Sequence, residues 1–328
     1  MEKDNKENLK LPPLIVGVLS GKGGVGKSTV VAELTRTLKE RGFKVGVLDG
    51  DLYGPSMRHL LPEDTPPKLE GEKLYPAQSE GISVMSAAFF PEKKGPVGVR
   101  APIANQIIAQ FIEEAEWGDC EVLLVDFPPG TGDIQITLMQ KLFFNGIVLV
   151  TTPQELSLLD ATKAAEMTLD MGAPLYGVVE NMSYFLDGKG GKHFPFGQGG
   201  GKVLSEKFSI PLLGEIPIGL QESNQGFFQT LAEHVLGMAK GEKRCKIIGE
   251  DPYHFSIEWW DGKKSVYRYG VLQEKCICIE CKEKVKIVAE EVKGLEIIPV
   301  GNYGIQCRFS TGCSKGIYPF SMLRAMDR

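Results

Sequence analysis

The chain has 328 residues, a length that favours about two domains over one compact core. Hydrophobic residues make up 42% and charged residues 24%, as in globular proteins, and the net charge of −5 argues against a nucleic-acid-binding surface. The polar residues 1–11 are predicted to form a flexible tail rather than a signal peptide, and no apolar run approaches the ~18 residues of a spanning helix. No membrane insertion is expected.

From residue 12 to 240, apolar runs alternate with amphipathic stretches, the pattern of a doubly wound α/β domain. The predicted strands are 14–20, 44–51, 122–130, 146–153 and 175–182, and two of the predicted helices are 27–41 and 157–171. The strand runs are apolar throughout, as expected for a mostly parallel sheet that helices cover on both faces.

The run GKGGVGKST follows the first strand and opens the first helix. It fits the P-loop pattern, in which glycines let backbone N–H groups surround phosphate oxygens and a helix N-terminus adds a positive field. Lys27 is predicted to reach the β- and γ-phosphates and Ser28 to ligate Mg²⁺. A glycine-rich turn without a ligand is the alternative. The predicted nucleotide-binding residues are Gly21, Lys22, Gly23, Gly24, Val25, Gly26, Lys27, Ser28 and Thr29.

Carboxylates follow two of the predicted strands. Asp126 ends the run VLLVD, and Asp49 and Asp51 belong to LDGD. We predict that Asp49 and Asp126 lie near Mg²⁺ and that Asp51 orients the attacking water, because phosphoryl transfer depends mostly on positioning and charge neutralisation. A helix N-cap is the alternative role for any one of them.

Two further segments complete the predicted site. The turn DFPPGTGD, residues 126–133, is predicted to act as a switch segment whose order depends on the nucleotide. Asn181 follows the strand LYGVVE and offers a donor and an acceptor that match the adenine edge, with a strand-end cap as the alternative.

A second lysine, Lys22, stands directly after the first glycine. The form K-G-G-x-G-K-[ST] resembles the deviant Walker A motif of the SIMIBI-type ATPases, which include MinD and ParA. The resemblance implies slow ATP hydrolysis by a homodimer in which Lys22 reaches the partner's phosphates. The catalytic set would then be Lys22, Lys27, Asp51 and Asp126. A solvated loop lysine is the alternative reading of Lys22.

Longer segments carry a closer likeness. LDGDLYGPS, WGDCEVLLVDFPPGTGDIQIT, TTPQELSLLDATKA and VENMSYF resemble the Mrp/ApbC/Nbp35 family of iron–sulfur cluster carrier ATPases over about residues 12–240. The resemblance implies a cytoplasmic ATPase that holds a [4Fe–4S] cluster between two subunits and passes it from cluster donors to apo-proteins. The chain departs from the family after NMSYF, where members carry C-x-x-C and residues 181–202 hold no cysteine. His193 is the one soft metal ligand in this segment. In lacking these cysteines, the chain resembles the plant plastid branch of the family.

The pattern changes after residue 240. Residues 241–250 are polar and are predicted to form a linker, and 251–328 a small β-rich domain. Residues 255–269 alternate around Asp261-Gly262, a hairpin signal, and 295–320 is a second strand-rich stretch. A domain of this size gains from a metal that joins its segments.

The C-terminal motifs W-x-DG-x(4)-Y, C-x-C-x-x-C, PVGNY and GIYPFSMLR are similar to the N-terminal domain of γ-butyrobetaine hydroxylase. That resemblance implies a structural zinc on the C-x-C-x-x-C cysteines and a distant histidine, at whose position this chain has Cys313. Four thiolates suit Zn²⁺ and also a [4Fe–4S] cluster, and free or redox-active thiols are the third possibility. The predicted ligands are Cys276, Cys278, Cys281 and Cys313.

The remaining cysteines are predicted to be structural: Cys307 in a core strand, Cys245 in the linker and Cys120 before the Walker B strand. Three functions are compatible with these features. The first is an ATP-dependent iron–sulfur cluster carrier, and the second is a nucleotide-switched dimeric adaptor with a zinc domain and no cluster. The third is a ligase or small-molecule kinase, in which 88–105 lines a pocket and Arg100 binds an anion.

Overall fold

The computed structural model describes two compact units, residues 1–239 and 240–328, which are treated separately below. The described residues are 11–71, 73–90, 101–171, 173–187, 189–219, 224–239, 246–259, 263–276, 278, 281, 291–300 and 304–326.

The first unit contains twelve strands in the described ranges. They are β1 (Leu14–Ser20), β2 (Val45–Asp49), β3 (Lys68–Glu70), β4 (Lys73–Tyr75), β5 (Ala77–Ser79), β6 (Ile82–Met85), β7 (Val122–Asp126), β8 (Gly146–Thr151), β9 (Leu175–Glu180), β10 (Phe185–Leu186), β11 (Lys192–His193) and β12 (Leu212–Glu215). Its helices are α1 (Lys27–Glu40), α2 (Met57–Leu60), α3 (Ala101–Glu113), α4 (Asp133–Lys141), α5 (Glu155–Asp170), α6 (Gly200–Phe208) and α7 (Gln225–Ala239).

Eight of these strands form one sheet in the order β12-β9-β8-β1-β7-β2-β6-β5. Every neighbouring pair is parallel except β5 and β6. The predicted mostly parallel sheet is confirmed, and β5, β6 and β12 extend it beyond the five predicted strands. Strand β1 has the predicted bounds, whereas the other four end earlier than predicted. β7 stops at Asp126 because Pro128 and Pro129 cannot donate to a ladder.

Both faces of the sheet are buried, which is what a doubly wound fold requires. Leu14, Val16 and Val18 of β1 belong to one core with α1 and α7, whereas Ile15 and Leu19 belong to a second core with α3, α4 and α5. Because successive strand side chains point to opposite faces, this division explains why the strand sequence is apolar at every position.

The second unit has two antiparallel sheets, each of three strands within the described ranges. The first contains β13 (Lys246–Gly249), β14 (His254–Glu258) and β15 (Lys264–Arg268), and the second β16 (Gly294–Val300), β17 (Gly304–Phe309) and β18 (Ile317–Pro319). Helix α8 (Tyr269–Glu274) follows β15, and α9 (Phe320–Ala325) follows β18. The small β-rich domain predicted for this region is confirmed.

Two sequence-based boundaries fall close to these elements. Strands β14 and β15 pair in antiparallel register from His254↔Arg268 to Glu258↔Lys264, while the predicted turn at Asp261-Gly262 lies outside the described residues. Strand β13 lies inside 241–250, the predicted linker, because Ile247 pairs with Ile257 and packs on the core of this unit. Within the described ranges, the helices lack the combined length and apolar character that a membrane crossing requires.

Candidate nucleotide site and four-cysteine centre

The P-loop leaves the sheet at the carboxyl end of β1, beside the ends of two neighbouring strands. Val18 of β1 pairs with Asp126 of β7, and Asp126 pairs in turn with Asp49 of β2. Parallel strands present their carboxyl ends at one edge, so the fold alone brings the P-loop and both carboxylates together.

The glycines of the loop are required by its path. Gly24 and Gly26 have φ values of 80° and 82°, in the left-handed region that residues with a Cβ avoid. A Cβ on Gly21 would lie 2.0 Å from the carbonyl carbon of Asp160, and one on Gly26 would lie 2.2 Å from Asn181 Nδ2. The loop therefore packs against α5 and Asn181 with no room for side chains at these two positions.

Lys27 opens α1 and is buried, and its ammonium group pairs with Asp126 Oδ1. Its Nζ also lies 3.4 Å from Ser28 Oγ. Asp126 is fully buried, and its other oxygen, Oδ2, has no hydrogen-bond partner among the residues that the structure describes. Burial raises the pKa of Asp126, and the charge of Lys27 opposes that rise.

Asp49 lies next to this pair and is also buried. Its Oδ1 accepts a hydrogen bond of 3.0 Å from the Asp51 backbone N–H, and its Oδ2 accepts one of 2.7 Å from Ser86 Oγ. Burial, followed by the charge of Asp126, raises the pKa of Asp49 to about 7. Two buried carboxylates beside one lysine carry a net negative charge when both are ionised, and a bound cation would stabilise this arrangement.

These donors fit magnesium. Mg²⁺ prefers hard oxygen ligands, usually one or two carboxylates with phosphate oxygens and water. Asp126 Oδ2, buried without a partner, and Asp49 beside it supply the carboxylates, and the hydroxyl of Ser28 stands at the same edge. The residue types and their burial thus match the ion that the P-loop pattern implies.

Lys22 and Asp51 occupy the rim of this edge. The Nζ of Lys22 lies 3.3 Å from Gln154 Oε1, at the start of α5. Asp51 Oδ1 accepts a hydrogen bond of 3.0 Å from the Gly54 backbone N–H, which holds the carboxylate in a local turn.

Asn181 is buried directly after β9, and its Nδ2 donates to the carbonyl oxygen of Val25 over 2.8 Å. Its backbone N–H donates to Thr151 O, at the end of β8. Asn181 therefore fastens the P-loop to the sheet edge in this structure, and the adenine contact remains a prediction.

The switch segment after β7 is held by one glutamine that the sequence reasoning missed. Gln135 Nε2 donates to the carbonyl oxygens of Pro128 and Pro129, at 3.0 and 2.9 Å, and Gln135 Oε1 accepts from the Gly132 N–H at 2.8 Å. The capping-box pattern S/T-x-x-E/Q marks a glutamine three residues after the residue that caps a helix. It would have found Gln135 only if glycine were also allowed at the cap, because Gly132 occupies that position. Ser86 and Gln154 were missed because isolated polar residues after strands carry no motif.

The cysteine-free segment after Asn181, where the family resemblance implies C-x-x-C, contains a small hairpin of β10 and β11. Asp187 binds the Lys189 and Gly191 N–H groups, and its Oδ2 lies 2.9 Å from His193 Nε2. The hydrogen bond with His193, together with these N–H groups, lowers the pKa of Asp187 to about 2. His193 is exposed and already paired with a carboxylate.

The Arg100 of the proposed anion pocket lies outside the described residues.

The second unit brings four predicted ligands together. The sulfur atoms of the four cysteines all lie within 4.8 Å of one another; the residues are Cys276, Cys278, Cys281 and Cys313. Cys313 Sγ is 3.9 Å from Cys276 Sγ and 3.5 Å from Cys278 Sγ. A tetrahedron with sulfur about 2.3 Å from a central Zn²⁺ has edges of about 3.8 Å. The donor set therefore fits one tetrahedral metal ion.

The other cysteines are unlike this group. Cys120 and Cys307 are buried, and burial raises the pKa of each thiol to about 12. Cys120 Sγ donates to the Val122 carbonyl oxygen, and Cys307 packs among Ile305 and Phe309 in the core of the second unit. Neither belongs to the group of four sulfur atoms, and Cys245 lies outside the described residues.

Comparisons with known proteins match these two units separately. Residues 13–235 match the family model of the ParA group described as NUBPL iron-transfer P-loop NTPase. The chain belongs to this family. Residues 248–324 match the γ-butyrobetaine hydroxylase-like N-terminal domain. Both resemblances drawn from the motifs are confirmed.

Individual relatives agree with the family. The chain is 42% identical over 215 residues to the iron–sulfur cluster carrier protein of Pseudomonas fragi, covering 64% of this chain and 75% of that protein. It is 39% identical over 218 residues to the Bacillus subtilis carrier protein, covering 66% of this chain but only 62% of that relative's length. A solved nucleotide-binding protein from Archaeoglobus fulgidus, in complex with ADP, is 37% identical with a TM-score of 0.57, covering 72% of this chain and 93% of the other.

Proposed function

We propose that this protein binds and hydrolyses ATP and uses the cycle to deliver [4Fe–4S] clusters to apo-proteins. The observation that carries the proposal is the buried row of Lys27, Asp126 and Asp49 beside a P-loop, in a chain of the iron-transfer NTPase family. The cluster is the cargo of this reaction, and its donors and recipients are protein partners. Reduced thiols and a labile cluster fit a cytoplasmic location.

The nucleotide would enter at the carboxyl end of β1. Backbone N–H groups of Gly21–Thr29 and the start of α1 would bind the phosphates, and Asn181 would contact the base. Lys27 would exchange its contact with Asp126 for the β- and γ-phosphates. Magnesium, held by Ser28, Asp49 and Asp126, supplies charge neutralisation at the phosphates when bound.

For hydrolysis, Asp51 would orient a water whose oxygen attacks the γ-phosphorus while the bond to the β–γ bridging oxygen breaks and ADP leaves. Lys22 would leave Gln154 and reach the phosphates of a second copy, as the family resemblance implies. Charges supplied in this way to a transferring phosphoryl group accelerate phosphoryl transfer by about 10³–10⁵-fold. Nucleotide state would thus control how two copies meet.

One experiment tests the carrier role directly. The anaerobically purified protein is reconstituted with iron and sulfide and then mixed with an apo-protein whose activity needs a [4Fe–4S] cluster. The proposal expects transfer that depends on ATP and falls strongly in Lys22→Ala and Lys27→Ala. A wild-type protein that hydrolyses ATP but takes up or transfers no cluster would rule the carrier role out and leave the ATPase intact.

A second candidate is the nucleotide-switched dimeric adaptor. It is favoured by the four sulfur atoms within 4.8 Å, because each thiolate of a [4Fe–4S] cluster binds a different iron and the sulfurs then stand farther apart than around one ion. On this reading the centre holds Zn²⁺ permanently, and the cysteine-free hairpin of β10 and β11 binds no cargo. Metal analysis after anaerobic purification distinguishes the two. About one zinc per chain and no iron favours the adaptor, while iron and sulfide in place of zinc favour the carrier.

A further inference from the structure

Ser86 lies at the end of β6, next to the row of charged groups at the sheet edge. Leu48 of β2 pairs with Met85 of β6, so the residues that follow, Asp49 and Ser86, stand side by side. Both are buried, at 1% and 0% exposure, and Ser86 Oγ is 2.7 Å from Asp49 Oδ2. The row thus runs across three neighbouring strand ends, from Asp126 through Asp49 to Ser86.

The direction of this hydrogen bond follows from the second contact of Ser86. Its Oγ accepts a hydrogen bond of 3.2 Å from the Ala88 N–H, where it caps the short turn Ala87–Phe89. A hydroxyl has one proton to donate, and an ionised carboxylate only accepts. The Ser86 proton therefore points at Asp49, and the backbone on either side of Ser86 is fixed by the sheet and by the turn.

The carboxylate of Asp49 is held at both oxygens. The Asp51 N–H binds Oδ1 and Ser86 binds Oδ2, so the carboxyl plane is set before any cation arrives. Each oxygen keeps a second acceptor position. Partners that orient a ligating carboxylate in this way commonly change metal affinity by about 10–100-fold when they are removed.

We infer that Ser86 is a positioning residue for magnesium: its hydroxyl fixes the Asp49 carboxylate in the orientation in which it helps to bind the Mg²⁺–nucleotide complex. The inference rests on the proposed ATP function and adds to it a residue that no P-loop, Walker B or switch pattern contains. Ser86 touches neither the nucleotide nor the reacting atoms and acts through Asp49.

The test measures cation binding rather than turnover. Mn²⁺ replaces Mg²⁺ as the probe, and its dissociation constant from the ADP complex is measured by electron paramagnetic resonance. ADP affinity is measured separately in excess EDTA with a fluorescent ADP analogue. Ser86→Ala is expected to raise the Mn²⁺ dissociation constant about tenfold and to leave ADP affinity in EDTA unchanged.

Two variants frame this result. Ser79→Ala is the matched control, because Ser79 is an equally buried serine of the neighbouring strand β5 whose Oγ has no hydrogen-bond partner. It should behave as wild type. Ser86→Thr keeps the hydroxyl in an extended backbone (φ −147°, ψ 144°) that tolerates a branched side chain, and should restore most of the Mn²⁺ affinity.

Each remaining outcome is decisive. Equal Mn²⁺ affinity in Ser86→Ala and Ser79→Ala would overturn the inference and leave the proposed function standing. So would a loss of ADP affinity in EDTA as large as the loss with Mn²⁺, because the effect would then be a distorted loop. If Ser86→Ala does not fold, Ser86→Cys, similar in size with only a weak S–H donor, must show the same rise. A wild-type protein that binds no Mn²⁺–ADP would overturn both the inference and the proposed function.

Discussion

The two sites of this protein are assembled in opposite ways. The nucleotide site lies at the edge of an eight-stranded sheet with a core on each face, and parallel pairing alone aligns Asp126 with Asp49. The four-cysteine centre joins two segments of a small unit, and one ligand stands 37 residues from another. The first site is formed by the fold before its ligand binds. For the second site, by contrast, we expect that a bound metal is needed to hold the ligands together.

The largest expected effect is the loss of the fold of the second unit, with the first unit left folded. Cys313→Ser, or removal of the metal with a chelator, should unfold the second unit, because metal binding contributes about 10–16 kcal/mol of folding free energy in small zinc-dependent domains. Thermal unfolding followed by circular dichroism should lose one of two transitions while nucleotide binding persists. Cys307→Ala, which removes a buried thiol outside the centre, is the control and should keep its metal. If both transitions survive Cys313→Ser, the comparison between the two sites fails.

A smaller effect is expected from the buried ion pair of the first unit. Lys27→Ala leaves the Asp126 carboxylate buried without its partner, which should lower the free energy of unfolding by about 3–5 kcal/mol. Lys44→Ala, which removes the exposed pair with Asp119, should change the free energy of unfolding far less, because water screens that pair. Urea unfolding of nucleotide-free protein gives both values. The double variant Lys27→Ala, Asp126→Asn should recover most of the loss; equal costs for the two lysines would contradict a preformed, charged site.

The shape of the P-loop gives the third prediction. Gly26→Ala should cost about 1–2 kcal/mol for the left-handed backbone alone and more for its collision with Asn181. Gly118→Ala separates the cost of the left-handed backbone from the cost of the collision. Gly118 has a φ of 60°, and no described atom lies within 4 Å of the position its Cβ would take. Unfolding free energies and nucleotide affinities are compared for both. A Gly26 variant no worse than the Gly118 variant would show that the loop opens easily around its ligand.

The last prediction, whose effect is small within any single pH unit, is a difference in pH dependence between the two units. The pKa of Asp49 is raised to about 7 by burial and by Asp126, so the folded state binds a proton that the unfolded state has released. The stability that comes from this group is therefore fully present below about pH 4 and is lost as the pH rises through 7, with a slope of at most about 1.4 kcal/mol per pH unit. Asp49→Asn should remove that slope from the transition of the first unit in metal-free buffer.

The second unit should respond in the opposite direction. Thiolates must lose protons to bind a metal, so acid weakens the four-cysteine centre. Chelator competition at several pH values measures this effect. If both transitions gain stability on acidification, the expected acid sensitivity of the four-cysteine centre is wrong. If Asp49→Asn keeps the wild-type slope, the pH dependence of the first unit does not come from Asp49.

The sequence predicted those parts of the molecule that repeat a local pattern. The P-loop and the C-x-C-x-x-C segment have a fixed spacing, and the aspartates follow predicted strands. The structure brings Asp49 next to Asp126 and the four cysteines next to one another. Ser86, Gln135 and Gln154 were missed because their partners, Asp49, Pro128 and Lys22, depend on strand order and loop path. The strands β5, β6 and β12 were missed because runs of three or four residues are too short to show a periodic pattern. The predicted linker at 241–250 includes β13, which is only four residues long and so shows little pattern in the sequence.

The spacing between Cys276 and Cys313 also has a consequence in time. At synthesis rates of about 5–20 residues per second, the ribosome needs about 2–7 s to proceed from Cys276 to Cys313, 37 positions later. During that interval Cys276, Cys278 and Cys281 stand on the nascent chain without their fourth partner. A three-thiol segment in this state is open to oxidation and to capture of thiolate-seeking ions such as copper. The order in which the ligands leave the ribosome thus gives the cell a brief interval in which the supply of the correct metal decides the fate of the domain.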